Sequence, residues 1–380
     1  MTQHQAVLRQ RESHPESRLP PGVQPVQRPV AIGRAVELAF LRWEKRQLAP
    51  TERFWRDFGM QVVSSTADRI VARGAGTPPC VAIVERAKAD RFVGPAFRMS
   101  EDTELDAYVR LLGGRWLSPD RIPGGGRGVE VTDPAGRAVW LLQGQARLDP
   151  LPMRGPTAPD MNTARHAPRV NRTVRTPIEP ARVVRLGHVV LQTVDFAAMA
   201  QWYLRVLGLI PTDVQYLDDG SPNLAFCRLD LGDEPADHHT LVLVGAIEDK
   251  YEHSAYEVLD LDALGQGQQV LRAQGHRHMW GIGRHVLGSQ LFDYWFDPDG
   301  FEHEHYTDGD LFTSEVETCY SPLDFGGIWA WGDDAPASMK PKKSLRTLWQ
   351  VLRLIRLKAI APQRLRLIAA ALDAPARPWL

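Results

Sequence analysis

The sequence is poor in the features that mark several common classes of protein. Its 380 residues include only three cysteines, Cys80, Cys227 and Cys319, and no two of them form a CxxC pair. This scarcity argues against a disulfide framework and favours a reducing compartment. No apolar run approaches the roughly 20 residues that would span a bilayer, and the amino-terminal segment lacks the apolar core of a secretory signal. We therefore expect a cytoplasmic protein.

The sequence also has almost no net charge, because 45 lysines and arginines are balanced by 46 aspartates and glutamates. A dedicated nucleic-acid binder needs a strong basic surplus, so we expect no nucleic-acid partner. The balance is uneven, however: from Lys340 to the end there are ten basic residues and one acidic residue. Apolar residues recur there at helical spacing, interrupted by Pro362. This tail is either an amphipathic helix for a membrane or partner, or, as we favour, a pair of helices docked on the acidic remainder or on a neighbouring subunit.

Shifts in composition divide the chain into segments. Two stretches are rich in proline and lack a sustained apolar period, which is typical of linkers and disordered arms. We predict a disordered arm over residues 1–29, an N-terminal domain over 30–147, a Pro/Arg-rich linker over 148–182, a C-terminal domain over 183–335 and a basic helical tail over 336–380.

Both predicted domains contain an internal repeat. In the C-terminal half, the β-rich run Val183–Thr193 precedes a helix capped by Asp195, and three short strands follow. The same order then recurs between His253 and Thr307. The N-terminal half echoes it faintly, and its segment DPAGRAVWLLQG resembles the later DPDGFEHEHYTD. We predict an α+β fold in which four βαβββ modules pair into two domains.

The sequence is rich in histidine in one region, since nine of its 12 histidines lie between His188 and His305. A single histidine on a strand is more often structural. However, His188 and His253 occupy equivalent strands of consecutive modules. The closing strand adds Glu302 and Glu304, which share one face because strand side chains alternate. Two imidazoles and one carboxylate suit non-haem Fe(II), or less commonly Mn(II). The spacing does not separate the two glutamates.

These motifs resemble the type I extradiol catechol dioxygenases of the vicinal oxygen chelate superfamily. The resemblance is strongest over residues 186–308 and is carried by LGHVVL, HHTLVLV, YEHSAYEV and GRHVLGSQLFDYWFDPDGFEHEHYTD; a later WGDDAPASM also matches. It implies two vicinal-oxygen-chelate domains with the metal site in the C-terminal one. The segment EHYT matches the family's E-x-Y-T, so the resemblance implies His188, His253 and Glu304 as metal ligands.

The same resemblance implies roles for three further residues. His239 matches an acid–base histidine, and it is preferred to His238 because a threonine follows it. His285 and Tyr294 match the pair that hydrogen-bonds the bound catecholate and oxygen. The implied activity is extradiol cleavage of a substituted catechol, with both atoms of O2 inserted at an Fe(II) site and Mn(II) as the alternative metal.

The N-terminal domain departs from the ligand pattern. Trp140 stands where the matching module has Glu304, Gly94 stands near the position of His253, and no histidine lies between His14 and His166. We therefore expect this domain to bind no metal.

Two other functions remain open for the same fold. One is a non-catalytic protein that binds or sequesters a ligand, and the other is a metal-dependent glyoxalase or isomerase that needs no oxygen. The family is commonly multimeric, so a homo-oligomer is expected.

Overall fold

The computed structural model describes residues 19–323, 328–340 and 344–374. Two large mixed β-sheets carry a few helices each, so the predicted α+β fold is confirmed. Residues 1–18 of the predicted arm and 375–380 of the predicted tail lie outside the described residues.

The N-terminal half forms an eight-stranded sheet in the order β2-β3-β4-β1-β5-β8-β7-β6. Strand β1 pairs in parallel with β4 and antiparallel with β5, while β5 pairs in parallel with β8. Each module therefore closes its first strand against its last. The elements are β1 (Ala35–Lys45), α1 (Ala49–Asp57), β2 (Gln61–Ser65), β3 (Arg69–Arg73), β4 (Ala82–Arg86), β5 (Arg91–Met99), α2 (Leu105–Leu112), β6 (Arg115–Trp116), β7 (Arg127–Thr132) and β8 (Ala138–Gln143).

The C-terminal half repeats this topology in a ten-stranded sheet. Its elements are β9 (Val183–Thr193), α3 (Phe196–Leu207), β10 (Ile210–Tyr216), β11 (Pro222–Arg228), β12 (Ala236–Asp237), β13 (Leu241–Gly245), β14 (Lys250–Val258), α4 (Leu261–Ala273), β15 (Arg277–His285), β16 (Leu291–Phe296), β17 (Glu302–Thr307), β18 (Leu311–Phe312), β19 (Cys319–Pro322) and β20 (Trp329–Trp331). The sheet order is β19-β10-β11-β13-β9-β14-β17-β16-β15-β20, and β12 pairs with β18 separately. Parallel β9–β13 and β14–β17 pairs flank the antiparallel β9–β14 pair, as in the first sheet.

Local sequence signals set the boundaries of helix α3. The Asp195 carboxylate accepts a hydrogen bond from the backbone N–H of Ala198 at 3.0 Å, which satisfies one of the unpaired donors at the helix start. Gly208 follows the last helical residue with φ of 68°, a left-handed conformation that glycine adopts without strain.

The two halves share one hydrophobic core, which contains buried residues from both sheets. Polar contacts cross the same boundary. The Lys45 ammonium on β1 forms a buried ion pair with Asp297 in the turn before β17. The Phe58 ring stacks on His305 with centroids 3.7 Å apart, and His305 Nε2 donates to the Phe58 carbonyl at 2.8 Å. The N-terminal half therefore packs against β17 and stabilises its position.

The described part of the predicted disordered arm is anchored, which corrects that expectation for residues 19–29. The Gln24 N–H donates to the Gly220 carbonyl at 2.9 Å, and the Val26 N–H donates to the Tyr320 hydroxyl at 3.2 Å. Composition did not indicate these contacts, because they join segments about two hundred or more residues apart. The segment 148–182 contains one short 3₁₀ turn and neither strand nor α-helix, and Arg154 ties it to Asp260 through two bonds of 2.6 and 2.7 Å.

The tail folds into two helices, α5 (Leu345–Arg356) and α6 (Pro362–Asp373). Pro362 occupies the start of α6, where its missing N–H leaves no helical bond unmade. Helix α6 docks on the C-terminal sheet: Ile368 is buried with Leu217, and the Arg364 guanidinium donates to the Asn223 side-chain oxygen at 2.7 Å. Within the described ranges, we find no helix with the length and apolar content needed to cross a bilayer.

Candidate metal centre and active site

Three adjacent central strands bring His188, His253 and Glu304 together. Ala255 on β14 pairs with His188 on β9 and also with Glu304 on β17, while His253 lies two residues earlier on the same face of β14. One ligand atom from each of the three side chains lies within 4.8 Å of the others. The His188 Nε2 and His253 Nε2 atoms lie 3.2 and 3.4 Å from Glu304 Oε2.

The chemistry of this triad fits a divalent cation. Glu304 is fully buried, yet neither of its carboxylate oxygens accepts a hydrogen bond of good geometry. Buried carboxylates without a partner are costly, and a metal ion would satisfy this one. Burial would raise the pKa of Glu304, but the imidazoles of His188, His253 and His285 outweigh it and hold that pKa well below its usual value. Burial also lowers the pKa of His188, which favours the neutral form that binds metals.

The structure separates the two glutamates that spacing left equivalent. Glu302 lines the cavity, whereas Glu304 is fully buried and is the one that meets the two histidines within 4.8 Å. Burial and the nearby Glu252 carboxylate raise the pKa of Glu302 to about 7. Glu302 is therefore a cavity-wall residue beside the triad rather than a member of it.

His239 stands next to the triad at the end of a buried polar chain. Its ring centroid lies 4.1 Å from that of His188. The Nδ1 atoms of His239 and His238 lie 2.8 Å apart, and His238 Nε2 lies 2.7 Å from Asp213 Oδ2. An ionised Asp213 only accepts, so a neutral His238 donates from Nε2 and accepts at Nδ1. His239 then donates from Nδ1, which leaves its Nε2 able to accept a proton.

Sequence reasoning missed the roles of His238 and Asp213 in this chain. The signals were present as the double histidine HH and as a lone acid within the otherwise apolar strand IPTDVQY. Their proximity could not be read from the sequence, because β10 and the segment before β13 meet only through the sheet.

His285 and Tyr294 form a second pair on the cavity wall. His285 Nδ1 donates to the Ile328 carbonyl at 2.7 Å, so in the neutral ring Nε2 accepts from the Tyr294 hydroxyl at 3.0 Å. Tyr294 also stacks on Trp280 with centroids 5.5 Å apart. Burial, reinforced by the Glu304 carboxylate, raises the pKa of Tyr294 well above 10 and keeps its hydroxyl protonated.

Because side chains alternate along β17, the histidines next to Glu304 lie on the opposite face and have a structural role. His303 and His305 point away from the cavity into the N-terminal half, where His303 contacts the rings of Trp43, Phe54 and Phe58. Burial lowers the pKa of His305 to about 4, so its ring is neutral in this apolar setting.

The N-terminal sheet has three positions that correspond to the triad. None of the three carries a side chain that can bind a metal. The strand register places Phe40, Gly94 and Trp140 where the other sheet has His188, His253 and Glu304. The predicted substitutions at Gly94 and Trp140 are therefore confirmed. The Phe40 and Trp140 rings meet edge to face at 6.0 Å and fill the space.

A cavity of about 610 Å³ opens over the triad. Its volume lies within the range of pockets that enclose drug-sized molecules. Side chains from the triad, from the two flanking polar pairs and from the tail line it, including His188, His239, His253, His285, Tyr294, Glu302, Trp280, Met279, Ile328, Met339, Ile368, Ala371 and Leu372.

Comparison with known proteins agrees with this fold. Residues 185–304 match the Glyoxalase/Bleomycin resistance protein/Dioxygenase superfamily. The chain is 28% identical over 313 residues to Metapyrocatechase 2 of Cupriavidus necator, covering 77% of this chain and 88% of the relative. Homoprotocatechuate 2,3-dioxygenase from Brevibacterium fuscum, solved with 3,4-dihydroxyphenylacetate, has a TM-score of 0.65 at 20% identity, covering 83% of this chain and 94% of that one. The Mn(II)-bound glyoxalase from Novosphingobium aromaticivorans has a TM-score of 0.66 at 20% identity, covering 82% and 96%.

The matched segment and the fold are similar to those of the Glyoxalase/Bleomycin resistance protein/Dioxygenase superfamily, and the C-terminal half carries a His-His-Glu cluster. The similarity to Metapyrocatechase 2, together with the fold shared with homoprotocatechuate 2,3-dioxygenase, supports the resemblance to extradiol dioxygenases that the sequence motifs indicated.

Proposed function

We propose that the protein is an Fe(II)-dependent extradiol dioxygenase that inserts both atoms of O2 into a substituted catechol. The observation that carries this proposal is the convergence of His188, His253 and Glu304 next to a cavity whose lining also contains three further polar side chains, His239, His285 and Tyr294. A sequestering protein needs an enclosing pocket but no such array of buried proton-handling groups. The similarity to Metapyrocatechase 2 supports the same activity.

In this proposal, His188, His253 and Glu304 hold the metal. A bound divalent metal would supply Lewis acidity toward the diol and, as Fe(II), a path for electrons from the diol to O2. The neutral imidazoles and the ionised carboxylate leave one positive charge uncompensated, which favours an anionic catecholate over neutral catechol.

The remaining residues handle protons and orient the substrate. The Nε2 atom of His239, held unprotonated by the Asp213–His238 chain, takes a proton from a catechol hydroxyl and later returns it. Before the substrate binds, His285 Nε2 holds the Tyr294 hydroxyl in place; when the substrate binds, that hydroxyl turns to donate to a catecholate oxygen instead. The apolar walls around Trp280 exclude water from the reacting groups.

A metal-dependent glyoxalase or isomerase is the second candidate, because the Mn(II)-bound glyoxalase shares the fold. Oxygen dependence separates the two. Protein loaded with Fe(II) without air should, when given catechols and then air, consume oxygen and form a yellow ring-opened product. Absence of oxygen uptake across a broad catechol panel would refute the dioxygenase, and the same test with Mn(II) compares the metals.

The ligand assignment has a matched control on the same strand. Glu304→Ala should lower Fe(II) affinity by more than the roughly 10–100-fold typical of losing an outer partner of a metal site. Glu302→Ala should largely preserve Fe(II) binding, because Glu302 lies outside the triad. Metal content after gel filtration measures both, and greater metal loss in Glu302→Ala would overturn the assignment.

A further inference from the structure

The C-terminal tail lines the cavity that holds the metal triad. Met339 and the α6 residues Ile368, Ala371 and Leu372 line the same space as His188 and Glu302. The composition of the tail had suggested only a membrane helix or a docked pair of helices. In the structure, both tail helices line this cavity: α6 contributes these apolar side chains, and α5 contributes Arg346, Thr347 and Gln350.

The wall continues without interruption from the catalytic residues to the tail. Tyr294 and Trp280 belong to an apolar cluster that also contacts Met339 and Leu372. Leu372 also joins the neighbouring cluster around Ile368. Apolar side chains therefore extend from the hydroxyl of Tyr294 to the tail helix. A single catechol ring next to the triad would leave this apolar surface exposed to water.

Specific polar contacts fix the tail in this position. Arg364 on α6 donates to the Ser221 hydroxyl at 3.1 Å and to the Pro222 carbonyl at 2.9 Å. On α5, the Gln350 amide donates to the Ile247 carbonyl at 3.0 Å. These bonds join both helices to residues around the cavity. They hold the apolar side chains of α6 in a defined position in the cavity wall.

We propose that α6 is a specificity element and that the substrate is a catechol carrying an extended apolar substituent. The substituent lies between Trp280 and the face of α6 that bears Ile368 and Leu372. This inference rests on the proposed function and deepens it. A cavity of about 610 Å³ accommodates such an arm together with the ring. An apolar arm matches the part of the wall formed by Trp280, Met339 and Leu372, whose side chains are apolar.

Two adjacent alanines on α6 provide a matched test. Ala371 lines the cavity, whereas Ala370 faces solvent. The probes are catechol, 4-pentylcatechol and 3-phenylcatechol. In the unaltered protein, kcat/KM for the better substituted catechol should exceed that for catechol by about tenfold or more, as added apolar groups do in fitted pockets. Ala371→Phe should remove that advantage, mainly through KM. Ala370→Phe should retain it.

Calorimetric titration without air gives a readout that is independent of turnover. The substituted catechol should bind more tightly than catechol, with a negative heat-capacity change from apolar burial. Ala371→Phe should weaken this binding about tenfold, a change of the size expected for lost apolar contact. Equal kcat/KM for catechol and both derivatives, or equal effects of the two alanine variants, would overturn the inference. Tight binding that Ala371→Phe weakens, without oxygen uptake, would support the wall and refute the dioxygenase instead.

Discussion

The buried ion pair between Lys45 and Asp297 gives the sharpest test of how the two halves depend on each other. Both side chains are 1% exposed, and Asp297 opens the turn that leads into the strand of Glu304. Lys45→Met removes the ammonium but keeps most of the volume of the side chain. Asp297 then stays buried with the backbone N–H groups of Asp299 and Phe301, each at 2.9 Å.

The magnitude follows from the burial of both groups. Removing one partner of a buried pair leaves an uncompensated charge and typically lowers the free energy of unfolding by about 3–5 kcal/mol. Arg46→Met is the matched control on the next residue, because the Arg46 side chain is 66% exposed in its pair with Asp90. An exposed pair contributes at most about 1 kcal/mol.

The pH dependence gives an independent check on the same pair. Burial would raise the pKa of Asp297, but His303 and Lys45 outweigh it and lower the pKa to about 2. An unfolded aspartate has a pKa of about 3.9, so the native carboxylate contributes about 2–3 kcal/mol of stability. Because the folded pKa is the lower one, this contribution is present above pH 4 and is lost as the pH falls through about 2.

Denaturant unfolding at several pH values measures both effects. The unaltered protein should lose stability between about pH 4 and pH 2, and Lys45→Met should be less stable at pH 7 with a shallower loss over that interval. A free-energy change in Lys45→Met no larger than in Arg46→Met would refute the reasoning that this pair joins the halves.

Two further predictions concern the neighbourhood of the site. Asp213→Asn should lower the turnover of a catechol by up to about 100-fold, because His239 loses its preferred tautomer; metal content should not change, and unaltered oxygen uptake would contradict the role of the chain. Phe58→Ala should lower the free energy of unfolding by about 3–5 kcal/mol, because a buried ring is lost from beneath His305. Leu111→Ala, at a residue 58% exposed, should change it by less than about 0.5 kcal/mol, and similar effects in the two variants would contradict this account.

The strands that carry the site were readable from the sequence because their signals are local. The predicted β-rich run Val183–Thr193 coincides with β9, and the predicted recurrence between His253 and Thr307 contains β15, β16 and β17. Alternating side chains and a clear capping aspartate define such elements within a few residues. The facing of Glu304 and His305 to opposite sides of β17 follows from the same alternation.

The rest of the site depends on contacts between distant segments. Asp213 and His238 lie 25 residues apart and come into contact across the sheet, and no local sequence pattern predicts that contact. Ala371 lines the same cavity as His188, although these two residues are still farther apart in the sequence. The anchoring of residues 19–29 was missed for the same reason. A homo-oligomer stays a prediction, and membrane contact by the tail stays the less favoured alternative.

The packed counterpart of the triad in the N-terminal sheet has a consequence for how the two halves tolerate change. At Phe40 and Trp140 the fold requires ring volume, since smaller side chains would leave a void. At the matching positions, His188 and Glu304, we propose that the site requires atoms that can bind a metal. A substitution there would be damaging even if it preserved the volume of the side chain. A saturation library across both sets of positions should therefore show two different requirements at equivalent places in the fold. The N-terminal positions should accept large side chains, and the C-terminal positions should accept only side chains with metal-binding lone pairs.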